Sequence, residues 1–190
     1  SRADAAAQLG IDPQQRTLLL MGGSMGYADH VKTLEKLTAL GFPLQLLVVC
    51  GNNKKQFLQV EQFASRYQGD CVIKPYGFVH NVEVMMSAAD CIVSKPGGLT
   101  VSEALAKNLP MLLVDPIPGH EERNVEFLVN NGMAARITKH FPIDEAVYEL
   151  FRNPARLATV RQTMQAVAHP DATERLADFV LQWNEPSNAC

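Results

Sequence analysis

The stretch richest in chemical possibility is Ser94-Lys95-Pro96-Gly97-Gly98-Leu99-Thr100-Val101-Ser102-Glu103. Two glycines that open a helix leave backbone N–H groups bare for an anion, and the helix dipole adds partial positive charge there. Glu103, one turn further on, offers two acceptor oxygens, enough for the two hydroxyls of a ribose. The same spacing also fits a capping box, with Thr100 as N-cap and Glu103 as its partner three residues later. Residue types alone leave both open.

Three other stretches have similar potential. Gly22-Gly23-Ser24-Met25-Gly26 combines three glycines with a hydroxyl. It is either a second anion seat or a tight turn; it matches neither GxGxxG nor a Walker A loop, because no Lys-Ser or Lys-Thr follows. Pro75-Tyr76-Gly77-Phe78-Val79 sets two aromatics around a glycine. A flat base could lie there against backbone groups, or the loop is simply packed. In Asp115-Pro116-Ile117-Pro118-Gly119-His120-Glu121-Glu122-Arg123-Asn124, two prolines stiffen a loop and a polar cluster follows. Such a cluster suits the hydroxyls of a sugar, or is a solvated helix start with acids favoured by the dipole.

Something must bring these stretches together, and the apolar pattern supplies it. Short apolar runs at 16–21, 44–50, 71–73 (stopping at Pro75), 91–93, 111–114 and 133–137 read as strands. Between them fall helical stripes such as Val31, Leu34, Leu37 and Leu40. The strand runs are nearly continuous, as expected of strands buried on both faces. The expected fold is α/β: a Rossmann-like six-stranded parallel sheet with helices on both faces. Ligands of such sheets bind beyond the carboxyl ends of the strands, and each of the four stretches follows a strand. A base, a ribose, phosphates and a polyol together make a nucleotide sugar. After Phe141 the pattern turns helical, over 143–151, 154–167 and 172–183, with Pro142 and Pro154 in first turns. Residues 1–184 read as one domain and 185–190 as a tail.

Composition narrows the options. The chain has 190 residues, a net charge of −3 and a pI of about 5.9, which argues against a non-specific nucleic-acid binder. No apolar run approaches the ~20 residues of a membrane span, and the polar, alanine-rich start does not read as a secretory signal. The four cysteines, Cys50, Cys71, Cys91 and Cys190, have no zinc or CxxC spacing and read as reduced structural thiols of a cytosolic protein. Of the five histidines, His30, His80, His140 and His169 read as surface or helix-end residues, and none is a convincing general base.

At these residues the sequence resembles the carboxyl-terminal domain of glycosyltransferase family 28, over about residues 2–183. Within that family, the strings from Lys95 to Ala104 and from Pro118 to Asn124 look like the diacylglycerol glycosyltransferases, the processive diacylglycerol glucosyltransferases and the monogalactosyldiacylglycerol synthases. The peptidoglycan-precursor N-acetylglucosaminyltransferase is a relative whose loop usually carries Ser-Gly-Ala in place of Pro-Gly-Gly. The resemblance implies the carboxyl-terminal half of a GT-B glycosyltransferase. It places Gly22, Gly23, Ser24 and Gly26 at the diphosphate. Phe78 and Val79 would face uracil, and Gly97, Gly98, Leu99 and Thr100 would seat the phosphates with Lys95 near. Glu103 would hold the ribose, and His120, Glu122 and Asn124 would border the hexose. His120 stands where the family has glutamine, which bears on sugar identity.

The implied reaction is transfer of a hexose from UDP-glucose or UDP-galactose to diacylglycerol, with inversion. No cofactor or metal is implied, and no Asp-X-Asp pair stands in the four loops. Residues 1–10 resemble the helix after the interdomain linker. The chain is therefore expected to begin in mid-protein, without the amino-terminal domain that would hold the acceptor, the general base and an anionic membrane surface. The full-length enzyme would be cytoplasmic and peripheral at the inner face of the cell membrane. The alternatives are the N-acetylglucosamine transferase of the peptidoglycan lipid precursor, an epimerase of the same fold, and a non-catalytic nucleotide-sugar-binding module.

Overall fold

The computed structural model describes residues 1–22 and 29–183. Within them, six strands alternate with helices. The strands are β1 (Thr17–Met21), β2 (Gln45–Val49), β3 (Val72–Tyr76), β4 (Cys91–Ser94), β5 (Met111–Leu113) and β6 (Ala134–Arg136). The helices are α1 (Arg2–Leu9), α2 (His30–Thr38), α3 (Lys54–Arg66), α4 (Val82–Ala88), α5 (Gly98–Ala106), α6 (Glu122–Asn130), α7 (Ile143–Arg152), α8 (Pro154–Val167) and α9 (Ala172–Trp183). All strand pairs are parallel, in the order β3-β2-β1-β4-β5-β6. The order reverses between β1 and β4, the point at which open sheets of this kind bind ligands.

Side-chain alternation divides the core in two. Leu19, Met21, Leu47, Val49, Ile92, Met111 and Leu113 face one layer, with Ala6, Met85, Ala104 and Leu128 from α1, α4, α5 and α6. Leu18, Leu20, Leu46, Val48, Cys91, Val93 and Leu112 face the other, with Leu34, Val60 and Val147 from α2, α3 and α7. The period of two makes one apolar run serve both layers. α8 joins the layers, sending Leu157 to one and Met164 to the other.

Two local expectations change. β3 runs through Pro75, which pairs with Val48, rather than stopping there. β3 is an edge strand, where proline's missing N–H deprives no neighbour. Pro142 is the N-cap of α7, one position before its first turn, while Pro154 opens α8 as expected. α9 is helical as read, but its stripe is uncovered: Leu176, Phe179, Val180, Leu181 and Trp183 are all exposed.

The amino-terminal end of the sheet is tied by charge. Asp90, just before β4, is 2% exposed and accepts from Arg2 Nη1 and Nη2 at 2.6 and 2.8 Å. Arg16 Nη1 (3.1 Å) and the Thr17 N–H (2.9 Å) donate to the same carboxylate. Arg161 of α8 lies 3.7 Å away. On the carbonyl end of α1, Lys74 Nζ donates to Leu9 and Gly10 at 2.7 Å each, the placement a helix dipole favours for a cation.

Cys50, Cys71 and Cys91 are free and buried; Cys190 lies outside the described residues. Burial pushes the Cys50 thiol up to about 11 and raises Cys91 as well. Since the thiolate is the reactive form, an alkylating reagent at about pH 8 should leave Cys50 and Cys91 unlabelled in the folded chain and label them in denaturant. Site-resolved mass spectrometry checks this, and rapid native labelling at Cys50 or Cys91 would contradict it.

Candidate donor-binding site

The carboxyl ends of all six strands lie on one edge of a parallel sheet, so the loops after β1, β3, β4 and β5 share that edge. Gly22 is buried directly after β1. Gly23, Ser24 and Gly26, which complete the first candidate loop, lie outside the described residues.

α5 begins earlier than the capping-box alternative requires. Its N-cap is Gly97 and its first residue Gly98, with no side-chain cap. The first intrahelical bond is Val101 N to Gly97 O, 2.9 Å. The N–H groups of Gly98, Leu99 and Thr100 find no protein acceptor among the described residues, as expected at an uncapped helix start. Thr100 is therefore inside the helix and caps nothing. A Cβ built on Gly98 meets no atom of the described residues within 4 Å. Leu99 is 83% exposed. Glu103 is exposed one turn along the same helix, and Lys95 is half-buried in the approach loop. Glu103 is thus left without the capping role and with its carboxylate toward solvent.

The loop after β3 lies three strand spacings from β4, about 14 Å at ~4.8 Å each. Phe78 is exposed and meets His80 edge-on, ring centroids 5.0 Å apart. Val79 packs its side chain on the core, which fits a backbone contact to a base better than a side-chain one.

The loop after β5 differs from expectation in detail. Glu122 opens α6 but is forked onto Arg136, both contacts at 3.1 Å. Asn124 donates from Nδ2 to the Pro96 carbonyl at 2.8 Å. His120 is exposed. The carboxylate nearest the seat is Glu121, which accepts from the Ile117 N–H at 2.7 Å. Its Oε1 lies 3.6 Å from where a Gly97 Cβ would be. Sequence reasoning passed over Glu121 for Glu122. Neighbouring positions on a helical turn differ by ~100° in direction, and two identical side chains give no signal to choose between them.

His30, the first residue of α2, is 1% exposed, so it is a helix-end residue and not a surface one. Burial lowers its pKa, opposed by the Val49 backbone and Asp29. The imidazole therefore stays neutral at pH 7 and adds no fixed charge to this edge.

A 3-2-1-4-5-6 parallel sheet with helices on both faces is a Rossmann-like fold of the kind found in GT-B glycosyltransferases. Its structural relatives agree. MurG of Acinetobacter baumannii superposes with a TM-score of 0.73 at 23% identity, over 95% of this chain and 53% of that one. WaaG, a glycosyltransferase involved in lipopolysaccharide biosynthesis, gives 0.65 at 18%, over 94% and 50%.

Residues 17–176 match the glycosyltransferase family 28 C-terminal domain, and the chain belongs to that family. Among curated relatives, the processive diacylglycerol beta-glucosyltransferase of Bacillus pumilus is 27% identical over 93% of this chain and 45% of its own length. That of Bacillus subtilis is 28% identical over 94% and 46%. The chain thus spans about half the length of the curated relatives it matches.

Proposed function

We propose that this chain is the donor-binding half of an inverting glycosyltransferase that moves a hexose from UDP-glucose or UDP-galactose to diacylglycerol. The observation that carries the reading is the α5 start: three N–H groups without protein acceptors among the described residues, a Gly98 that none of those residues crowds, and Glu103 one turn on. The Gly97–Thr100 segment would take the diphosphate, Glu103 the ribose, the Phe78–Val79 backbone the uracil, and the loop around His120 and Glu121 the hexose. The names of the curated relatives support the lipid acceptor.

In the proposed reaction the acceptor hydroxyl oxygen attacks the anomeric carbon in line as the bond to the UDP oxygen breaks. The hydroxyl proton goes to a base in the other half of the enzyme. Charge grows on the leaving diphosphate, and fixed N–H donors with a helix dipole stabilise it without reorganising. This reading needs neither cofactor nor metal. The membrane-facing acceptor half would make the whole enzyme peripheral at the inner face of the cell membrane; among the described residues no helix is long and apolar enough to cross one.

The test is an isotope-edited NMR titration with UDP, followed by UDP-glucose, UDP-galactose and UDP-N-acetylglucosamine, with ADP and GDP as controls. Shifts at Val79, Gly97–Thr100 and Glu103 with uridine nucleotides alone are expected. Preference for UDP-N-acetylglucosamine would move the chain to the peptidoglycan-precursor reading. No response to UDP at millimolar concentration in a folded sample would remove the donor-site reading.

A further inference from the structure

The Asn124–Pro96 contact links the first turn of α6 to the loop after β4, which the sequence separates by a helix and a strand. Pro96 is buried, and its carbonyl accepts from Asn124 Nδ2 at 2.8 Å. That carbonyl belongs to the peptide unit joining Pro96 to Gly97, the N-cap of α5. In a trans peptide plane the C=O and N–H point in opposite directions, and the described peptides are all trans. A carbonyl held toward α6 therefore holds the Gly97 N–H pointing away from it. Gly97 N has no protein acceptor among the described residues, like its neighbours Gly98, Leu99 and Thr100.

We propose that Asn124 is a positioning residue: by fixing the Pro96–Gly97 peptide plane it aims the Gly97 N–H, with those of α5, at the donor diphosphate. The inference rests on the donor-site reading and changes one part of it. Asn124 was expected at the hexose, yet one N–H of its amide is committed to the backbone, which fixes where the side chain sits. Its effect on binding should then not depend on whether a sugar is attached.

The experiment measures affinities of UDP and UDP-glucose for the wild-type chain, Asn124→Ala, Asn124→Asp and Asn131→Ala. Asn131 is the matched control: its Nδ2 donates to the Phe127 carbonyl at 2.8 Å, at the far end of α6. Asn124→Ala should weaken UDP and UDP-glucose by the same factor, about tenfold, the scale of one hydrogen bond to a charged group. Asn124→Asp keeps the size and the acceptor but loses the donor, so it should weaken both as well. Asn131→Ala should leave both affinities unchanged while lowering the melting temperature by a similar amount.

Three results would overturn the proposal. The first is a loss confined to UDP-glucose, which would put Asn124 on the hexose. The second is wild-type UDP affinity in both Asn124 variants. The third is equal weakening by Asn131→Ala. Absence of UDP binding in the wild type would instead remove the donor-site reading, and the positioning role with it.

Discussion

Asp90→Ala should destabilise the folded chain by about 3 kcal/mol, the low end of what breaking a buried ion pair costs, and lower the melting temperature on the order of 10 °C. The carboxylate holds Arg2, Arg16 and the Thr17 N–H at once, so its removal loosens α1, the approach to β1 and the α8 contact together. The low end applies because Arg2 and Arg16 remain about one-third exposed and can turn to water. Burial by itself would raise the Asp90 carboxyl. The Arg2 fork, the Thr17 N–H and the charges of Arg2 and Arg16 outweigh burial and hold it below the usual carboxylate range.

A lowered native value means that the unfolded chain takes up the proton first. The stabilisation is complete above the unfolded carboxylate range, about pH 4, and is lost as pH falls through the lower native value. Asp90→Asn keeps the shape and drops the charge, so its stability should depend less on pH over that acid limb. Denaturant melts at neutral and acid pH check both points. An Asp90→Ala chain as stable as the wild type would show that the hub contributes nothing net.

Glu103→Ala should weaken UDP by about 1.5–3 kcal/mol, the scale of hydrogen bonds to a charged group, which is roughly 10- to 100-fold. Its melting temperature should stay where it is. The second half of that expectation follows from the start of α5 at Gly98 with no side-chain cap: an exposed Glu103 that caps nothing has no side-chain bond to lose among the described residues. Affinity from titration and stability from thermal melting separate the outcomes. Unchanged affinity with a loss of about 1 kcal/mol in stability would restore the capping box.

The fold was legible where the signal is local. Runs such as Leu18–Leu19–Leu20 and Leu46–Leu47–Val48 can hardly be anything but strands buried on both faces, and Gly132 at φ 68 closes α6 as the Asn-Gly pair suggests. That the loops after β3, β4 and β5 lie at one edge of the sheet was legible for the same reason, since each follows such a run. What escaped was pairing across distance. Arg2, Arg16, Asp90 and Arg161 are ordinary charges in sequence and meet only after the sheet and α8 assemble. The Glu122–Arg136 fork and the Asn124–Pro96 bond are of the same kind. Where α5 starts was ambiguous because Gly97-Gly98 and Thr100 each make a plausible first turn, and the bonded backbone decides between them. Pro75 misled because proline usually ends a strand, and only knowing that β3 is the sheet's edge removes the objection.

The charged hub and the proposed donor seat at the start of α5 are attached to opposite ends of β4. Asp90 immediately precedes that strand and Lys95 immediately follows it, a separation of about 16 Å at ~3.3 Å per residue. Substitutions that far apart with no shared partner combine additively. A lineage could therefore exchange residues of the proposed donor seat that follows β4 without drawing on the contacts that keep the domain folded. A laboratory could likewise brace the hub first and diversify the seat afterwards.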